Sequence, residues 1–165
     1  AVAVSHSASF APLVDPQTRL LIVGSLPGRE SLARQQYYAH PRNQFWALVG
    51  AAIGTDFVAL AYPDRVAALT RHHVGLWDVI GAATRFGSLD SAIRDHQPND
   101  LAGLARTLPA LRGVGFNGAT AFRLGAAALA SAGIALTALP SSSPAYAAMP
   151  LAAKQQAWAA LRDYL

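Results

Sequence analysis

The sequence contains no cysteine, which excludes a disulfide framework, an iron–sulfur cluster and a thiolate zinc site. Charge is scarce too: Asp, Glu, Lys and Arg make up 13% of the 165 residues, whereas 53% are hydrophobic. Disordered chains show the opposite balance, so this one folds around an apolar core, and its length suits one domain. No apolar run continues long enough without Arg, Asp, Pro or Gly to span a bilayer. The opening residues, AVAVSHSASFAPLV, lack a basic start and a clean hydrophobic segment, and so do not read as a signal peptide. The expectation is a soluble cytoplasmic protein with no membrane partner.

Lysine is nearly absent as well. Of the 13 basic residues all but Lys154 are arginine, and against nine acidic residues they give a net charge of +4. Arginine forks suit phosphate, which brings in nucleic acid as a partner. A charge this mild also fits a genome that favours Arg codons.

What is present is alternation. Short continuous apolar runs at residues 20–23, 74–80, 114–116 and 134–139 each stop at a Gly- or Ser-rich turn, as buried strands do. Between and after them lie helical patterns at 44–53, 63–72, 98–108, 118–131 and 151–164, the second opened by Pro63 and the third by Pro98-Asn99-Asp100. Residues 1–18 read as an N-terminal tail and 19–165 as a single domain. The class is α/β: a central four-stranded parallel sheet between helices, a three-layer α/β/α arrangement. Such sheets bind ligands beyond the carboxyl ends of their strands, which directs attention to residues 24–43, 78–90, 117–119 and 140–146.

The first of these segments reads GSLPGRESLARQQYYAHPRNQFW over 24–46. Gly24, Ser25, Leu26, Pro27 and Gly28 form a tight turn whose backbone can approach a ligand, but no Gly-Lys-Ser/Thr follows, so it is not a P-loop. Tyr37 and Tyr38 then precede Ala39-His40-Pro41-Arg42-Asn43 with neither helical nor strand period. Aromatic faces beside Arg and amide groups suit a flat heterocycle, which needs stacking and edge hydrogen bonds. Two packing tyrosines and an Asn capping the next helix account for the same residues. The last segment, Leu139-Pro140-Ser141-Ser142-Ser143-Pro144-Ala145-Tyr146, is a stiff loop of small residues able to lie against phosphates or in a minor groove.

Taken in order, GSLPG, YYAHPRNQFW, LWDVI, GSLDSAI, FNG and LPSSSPA resemble the hypoxanthine (deoxyinosine)-DNA glycosylases of the uracil-DNA glycosylase superfamily, from about Leu20 to about Trp158. The resemblance implies the same four-stranded parallel sheet between helices. It implies that Tyr38 stacks on a flipped base and that Asn43, in the AHPxNxFW motif, is the catalytic residue. Ser25 stands where mismatch-specific relatives have Asn and the most active uracil enzymes have Asp, a departure that shifts catalysis onto Asn43. Leu139-Pro140-Ser141 replaces the His-Pro-Ser or Asn-Pro-Ser of other branches. The loop of Ser141, Ser142, Ser143, Pro144 and Tyr146 is then left to hold the DNA backbone and fill the gap in the duplex.

Breaking an N-glycosidic bond develops positive charge on the sugar and negative charge on the base. An amide such as Asn43 can orient water against that cation, which demands position more than basicity. The chemistry needs no metal and no cofactor. Asp78, ending the second strand in LWDVI, would accept from N1–H of hypoxanthine, where adenine offers only an acceptor; a helix cap or an ion pair with Arg85 would explain it equally. Asn117 in FNG is a further candidate contact, His40 could touch phosphate or orient Asn43, and Asp90 would cap a helix. Arg42 and Arg85 are the expected phosphate contacts. Lys154 falls in the last helix, away from the motifs, so the expected enzyme uses water rather than an amine. It would act as a monomer on DNA containing a deaminated base, in a bacterial cytoplasm and on the nucleoid when bound. Uracil or xanthine specificity, a non-catalytic nucleic-acid-binding module and a small-molecule nucleoside hydrolase remain as competing readings.

Overall fold

The computed structural model describes residues 4–86 and 93–165, with side chains over 9–81 and 97–165. Four strands, β2 (Leu20–Gly24), β3 (Val74–Asp78), β6 (Gly113–Asn117) and β7 (Ala135–Leu139), form a sheet in the order β3-β2-β6-β7. Every pair is parallel: Leu20 lies opposite Val74 on one side and Gly113 on the other, and Gly113 opposite Ala135.

Strand β2 is buried at all five positions, and its side chains alternate between two cores, as the two-residue period of a strand requires. Leu20 and Ile22 pack with Leu76 against helices α2 (Phe45–Ile53), α3 (Tyr62–Arg71) and α6 (Leu151–Trp158), through Phe45, Leu48, Leu69 and Trp158. Leu21 and Val23 pack with Val114 and Phe116 against α4 (Leu101–Arg106) and α5 (Ala119–Leu129), through Leu101, Ala121 and Leu129. This is the expected three-layer α/β/α fold. A short helix, α1 (Arg29–Arg34), follows β2, and a 3₁₀ turn over Ala159–Tyr164 extends α6.

The chain-local signals hold at several helix starts. Pro63 lies in the first turn of α3, and the Asp100 side chain accepts from Gly103 N–H at 2.9 Å to cap α4.

Two expectations differ from what the structure shows. The run at 74–80 is not one strand. The chain leaves the parallel sheet at Val79, whose N–H still donates to Gly24 O at 2.8 Å while its carbonyl accepts from Asn99 N–H at 2.7 Å. It continues as β4 (Ile80–Phe86) in a second sheet, antiparallel, of order β1-β4-β5, with β1 (Val4–Ala8) and β5 (Ile93–Pro98). Residues 4–18, read as tail, are therefore partly built into the structure: β1 pairs with β4 from Val4–Phe86 to Ala8–Ala82, and Leu13 bridges Leu76. The polar sequences VSHSA and IRDHQP carry no apolar run to announce a strand, since what makes them strands is backbone pairing with β4. Asp90 lies outside the described residues. Among the described residues no helix is long and apolar enough to cross a membrane.

Candidate active site

The strands of the parallel sheet end at Asp78, Gly24, Asn117 and Leu139, and beyond those ends lies a cavity of about 790 Å³. Its wall is made by the two loops that the sequence singles out. Gly24, Ser25, Leu26, Pro27, Tyr38, His40 and Asn43 come from the first; Ser141, Ser142, Ser143, Pro144 and Tyr146 come from the last; Asp78 and Asn117 form the floor. Arg42 is exposed and does not line the cavity. The side chain of Arg85 lies outside the described residues, and with it the ion pair considered for Asp78.

The floor is close-packed. Gly24 is opposite Asp78 in the sheet register, and a Cβ at Gly24 would stand 2.7 Å from Asp78 Oδ1 and 3.0 Å from Tyr38 Oη. A hydrogen atom at position 24 thus leaves room for both the carboxylate and the phenol above the strand end. Asp78 is 4% exposed, and its carbonyl accepts from Asn99 Nδ2 at 2.8 Å. The same Asn99 amide reaches Ser9 Oγ at 2.9 Å, so the turn into β4 braces Asp78 from behind. Ser25 is buried, with its carbonyl accepting from Ile80 N–H at 3.0 Å.

Tyr38 adopts φ of +54°, a left-handed conformation that bulky residues rarely occupy. Neighbours fix it there. Trp46 Nε1 donates to the Tyr38 carbonyl at 3.1 Å, and the Tyr38 ring stacks on Phe45 at 3.9 Å and 14°. Phe45 is fully buried behind the cavity wall, so the Tyr38 ring is backed on one side by an aromatic face. Its neighbour Tyr37 donates its hydroxyl to Ala11 O at 3.0 Å. Burial, with Asp78 nearby as a second cause, pushes the Tyr37 phenol far above its ordinary pKa of 10.0.

Asn43 does what a capping residue does and also lines the cavity. Its Oδ1 accepts from Phe45 N–H at 2.9 Å, satisfying one of the orphan donors at the start of α2. That bond fixes the amide and leaves Oδ1 a second lone pair. His40 sets Asn43 through the backbone, its carbonyl accepting from Asn43 N–H at 3.0 Å. His40 Nδ1 accepts from Arg42 N–H at 3.0 Å, so the neutral ring carries its proton on Nε2.

Asn117 is occupied by the protein itself. Its amide exchanges two 2.9 Å hydrogen bonds with Ser142, one to the backbone N–H and one to Oγ. Gly118, at φ of +100°, lets the loop come this close: a Cβ there would lie 3.2 Å from Ser141 Cβ. The loop is further held by Trp158 Nε1 on Pro140 O at 2.9 Å and by Gln44 N–H on Ser142 O at 2.9 Å.

Sequence reading missed several members. Arg29, Glu30 and Ser31 line the cavity from α1; their signal was the helical start directly after Gly28. Lys154, expected to lie apart from the motifs, is buried and donates to Gln44 Oε1 and Tyr146 O. A position in sequence says little about which loops a helix backs. Among the described residues no three His, Cys, Asp or Glu side chains converge so as to hold a metal ion.

A parallel sheet between two helix layers, with a polar, aromatic-lined cavity at its carboxyl edge, is an α/β fold whose candidate ligand site lies where such sheets place one. Residues 11–162 match the Uracil DNA glycosylase superfamily, and the chain belongs to that superfamily. It is 47% identical over 109 residues to the Hypoxanthine DNA glycosylase of Methanosarcina acetivorans, and 45% identical over 109 residues to that of Methanosarcina barkeri. Each match covers 66% of this chain and 69% of the relative. The solution NMR structure of a candidate uracil DNA glycosylase from Methanosarcina acetivorans superposes with a TM-score of 0.87 at 39% identity, over 97% of this chain and 99% of the other. These relatives are archaeal, so the expected bacterial setting gains no support from them.

Proposed function

We propose that this protein is a monofunctional DNA glycosylase that flips a deaminated base, with hypoxanthine the preferred one, and hydrolyses its N-glycosidic bond. The observation that carries the reading is that one cavity brings together Tyr38, Asn43 and Asp78. These three supply what the reaction needs: a ring for the base to lie on, an amide to aim water and a carboxylate for the base edge. The similarity to two hypoxanthine DNA glycosylases supports the choice of base.

Extruding a nucleotide costs a few kcal/mol, least for a mispaired or damaged base. In the cavity the base rests on Tyr38, whose other side is braced by Phe45. Asp78 accepts N1–H of hypoxanthine and repels the N1 lone pair of adenine. As the C1′–N9 bond breaks, its electron pair leaves with the base and the sugar becomes cation-like. A water held by Asn43 Oδ1 adds its oxygen to C1′, and its proton passes to the departing base or to solvent. Ser25, beside the same water position in this reading, assists the placement. Nε2–H of His40 serves as a donor to the flanking phosphate, and exposed Arg42 and Arg29 contact the backbone. Pro144 and Tyr146, both exposed on the last loop, enter the space the base vacates.

The test is excision from oligonucleotides that carry a single deoxyinosine, deoxyxanthosine or deoxyuridine, with abasic sites opened by hot alkali. Cleavage fastest at deoxyinosine is the expected result. Cleavage at deoxyuridine alone would keep the family and overturn the base preference. Salt-sensitive binding without any cleavage would make the protein a nucleic-acid-binding module instead.

A further inference from the structure

Lys154 is the only lysine in the chain and is 1% exposed. Its Nζ donates to Gln44 Oε1 at 2.9 Å and to Tyr146 O at 2.8 Å, and stands 5.2 Å from the centroid of the Tyr146 ring. Two hydrogen bonds and a ring face together account for the three protons of an ammonium. None of the described carboxylates pairs with it. Burial lowers its pKa from 10.5, because a buried cation with neutral partners is costly. Methionine would fill much the same space without that cost. What lysine adds is reach to two loops at once.

Both loops line the cavity and meet at one end of it. Gln44 directly follows Asn43, and its N–H already holds Ser142 O. Tyr146 ends the serine loop, where its N–H donates to Ser143 O at 3.0 Å. We propose that Lys154 is a positioning residue that clamps the Tyr146 end of the serine loop to the Asn43–Gln44 segment, so that the loop is held in place to fill the duplex gap while the nucleotide is flipped. The inference rests on the glycosylase reading above for its catalytic consequence, but not for the clamp itself.

A clamp of this kind matters most when the nucleotide must be pulled from a paired duplex. For Lys154→Met, kcat/KM on deoxyinosine paired in a duplex is expected to fall about tenfold or more, as removal of a charged hydrogen-bonding group does. On the same nucleotide unpaired in a bulge the loss stays within about twofold, since little pairing and stacking has to be broken there. Lys154→Arg, which keeps the charge and the donors, recovers part of the duplex activity. Equal losses on both substrates, or no loss on either, would overturn the proposal. If Lys154→Met does not fold, Gln44→Met removes one end of the clamp and is expected to give the same ordering of substrates. Amide hydrogen exchange reads the clamp without DNA. Faster exchange at Ala145 and Tyr146 in the variant, with residues 20–24 unchanged, is the expected outcome; unchanged exchange at both places would overturn it. Wild-type protein that excises no base would instead count against the glycosylase reading, and the exchange experiment would still decide the clamp.

Discussion

Asn117 and Ser142 hold each other twice: the Ser142 N–H donates to Asn117 Oδ1 and Asn117 Nδ2 donates to Ser142 Oγ, each at 2.9 Å. Both residues are buried. The end of β6 therefore fixes the middle of the serine loop without help from a ligand. In Asn117→Ala the buried Ser142 N–H loses its acceptor, at a cost of about 2 kcal/mol. Ser142→Ala removes only the hydroxyl bond and should cost about 1 kcal/mol. Urea denaturation of the two variants and of the double variant checks this, and the double should cost less than the sum because the pair is shared.

Gly24 supplies a second prediction. A methyl group there would overlap Asp78 Oδ1, at 2.7 Å, and crowd Tyr38 Oη, at 3.0 Å. Gly24→Ala should leave the fold in place at a cost of about 1–3 kcal/mol, as overpacking does, while displacing the carboxylate and the ring together. Excision from deoxyinosine DNA is expected to drop by more than the stability change alone explains. The check is single-turnover excision at a temperature where circular dichroism shows the variant folded.

The Tyr37 phenol, raised above 10.0 by burial first and by Asp78 second, gives a pH dependence with a definite sign. Above pH 10.0 the unfolded chain releases this proton and the native chain does not, so the native state binds more protons and stability falls as pH rises. Each such group contributes a slope of about 1.4 kcal/mol per pH unit. Tyr62, also raised by burial, adds to it. Tyr37→Phe should flatten the alkaline limb, while losing at neutral pH the hydrogen bond to Ala11 O. Thermal melts from pH 8 to pH 11.5 test both halves.

How much of this was legible beforehand depended on the kind of signal each residue leaves. The inner strands announce themselves because both their faces are buried, so Leu20–Gly24 and Gly113–Asn117 read as unbroken apolar or small-residue runs, whereas the edge strand β7 is legible from its apolar composition although only Leu139 is fully buried. Strands β1 and β5 leave no such trace, and only pairing across the chain creates them. At the site, Tyr38, Asn43 and the serine loop stood out as polar and aromatic residues without a period. Asn99 and Lys154 did not, because their significance is a contact with Asp78 O or with Gln44 and Tyr146, which no local pattern encodes. Asn117 and Ser142 were both legible as site residues, but their pairing with each other was not.

Asn43 carries the central claim. Asn43→Ala also removes the hydrogen bond to Phe45 N–H, worth about 1 kcal/mol for a lost cap, so the variant needs a control that keeps it. Asn43→Ser retains an oxygen able to accept from that N–H. The decisive measurement is the single-turnover rate of base excision from a deoxyinosine duplex for wild type, Asn43→Ala and Asn43→Ser, beside the affinity of each for the same DNA. If Asn43 aims the attacking water, wild type excises the base, both variants lose about a hundredfold or more in rate, as loss of a preorganised polar group at a reacting centre does, and DNA affinity stays the same. Excision by Asn43→Ala at a rate close to wild type would contradict the account and move the water to another residue.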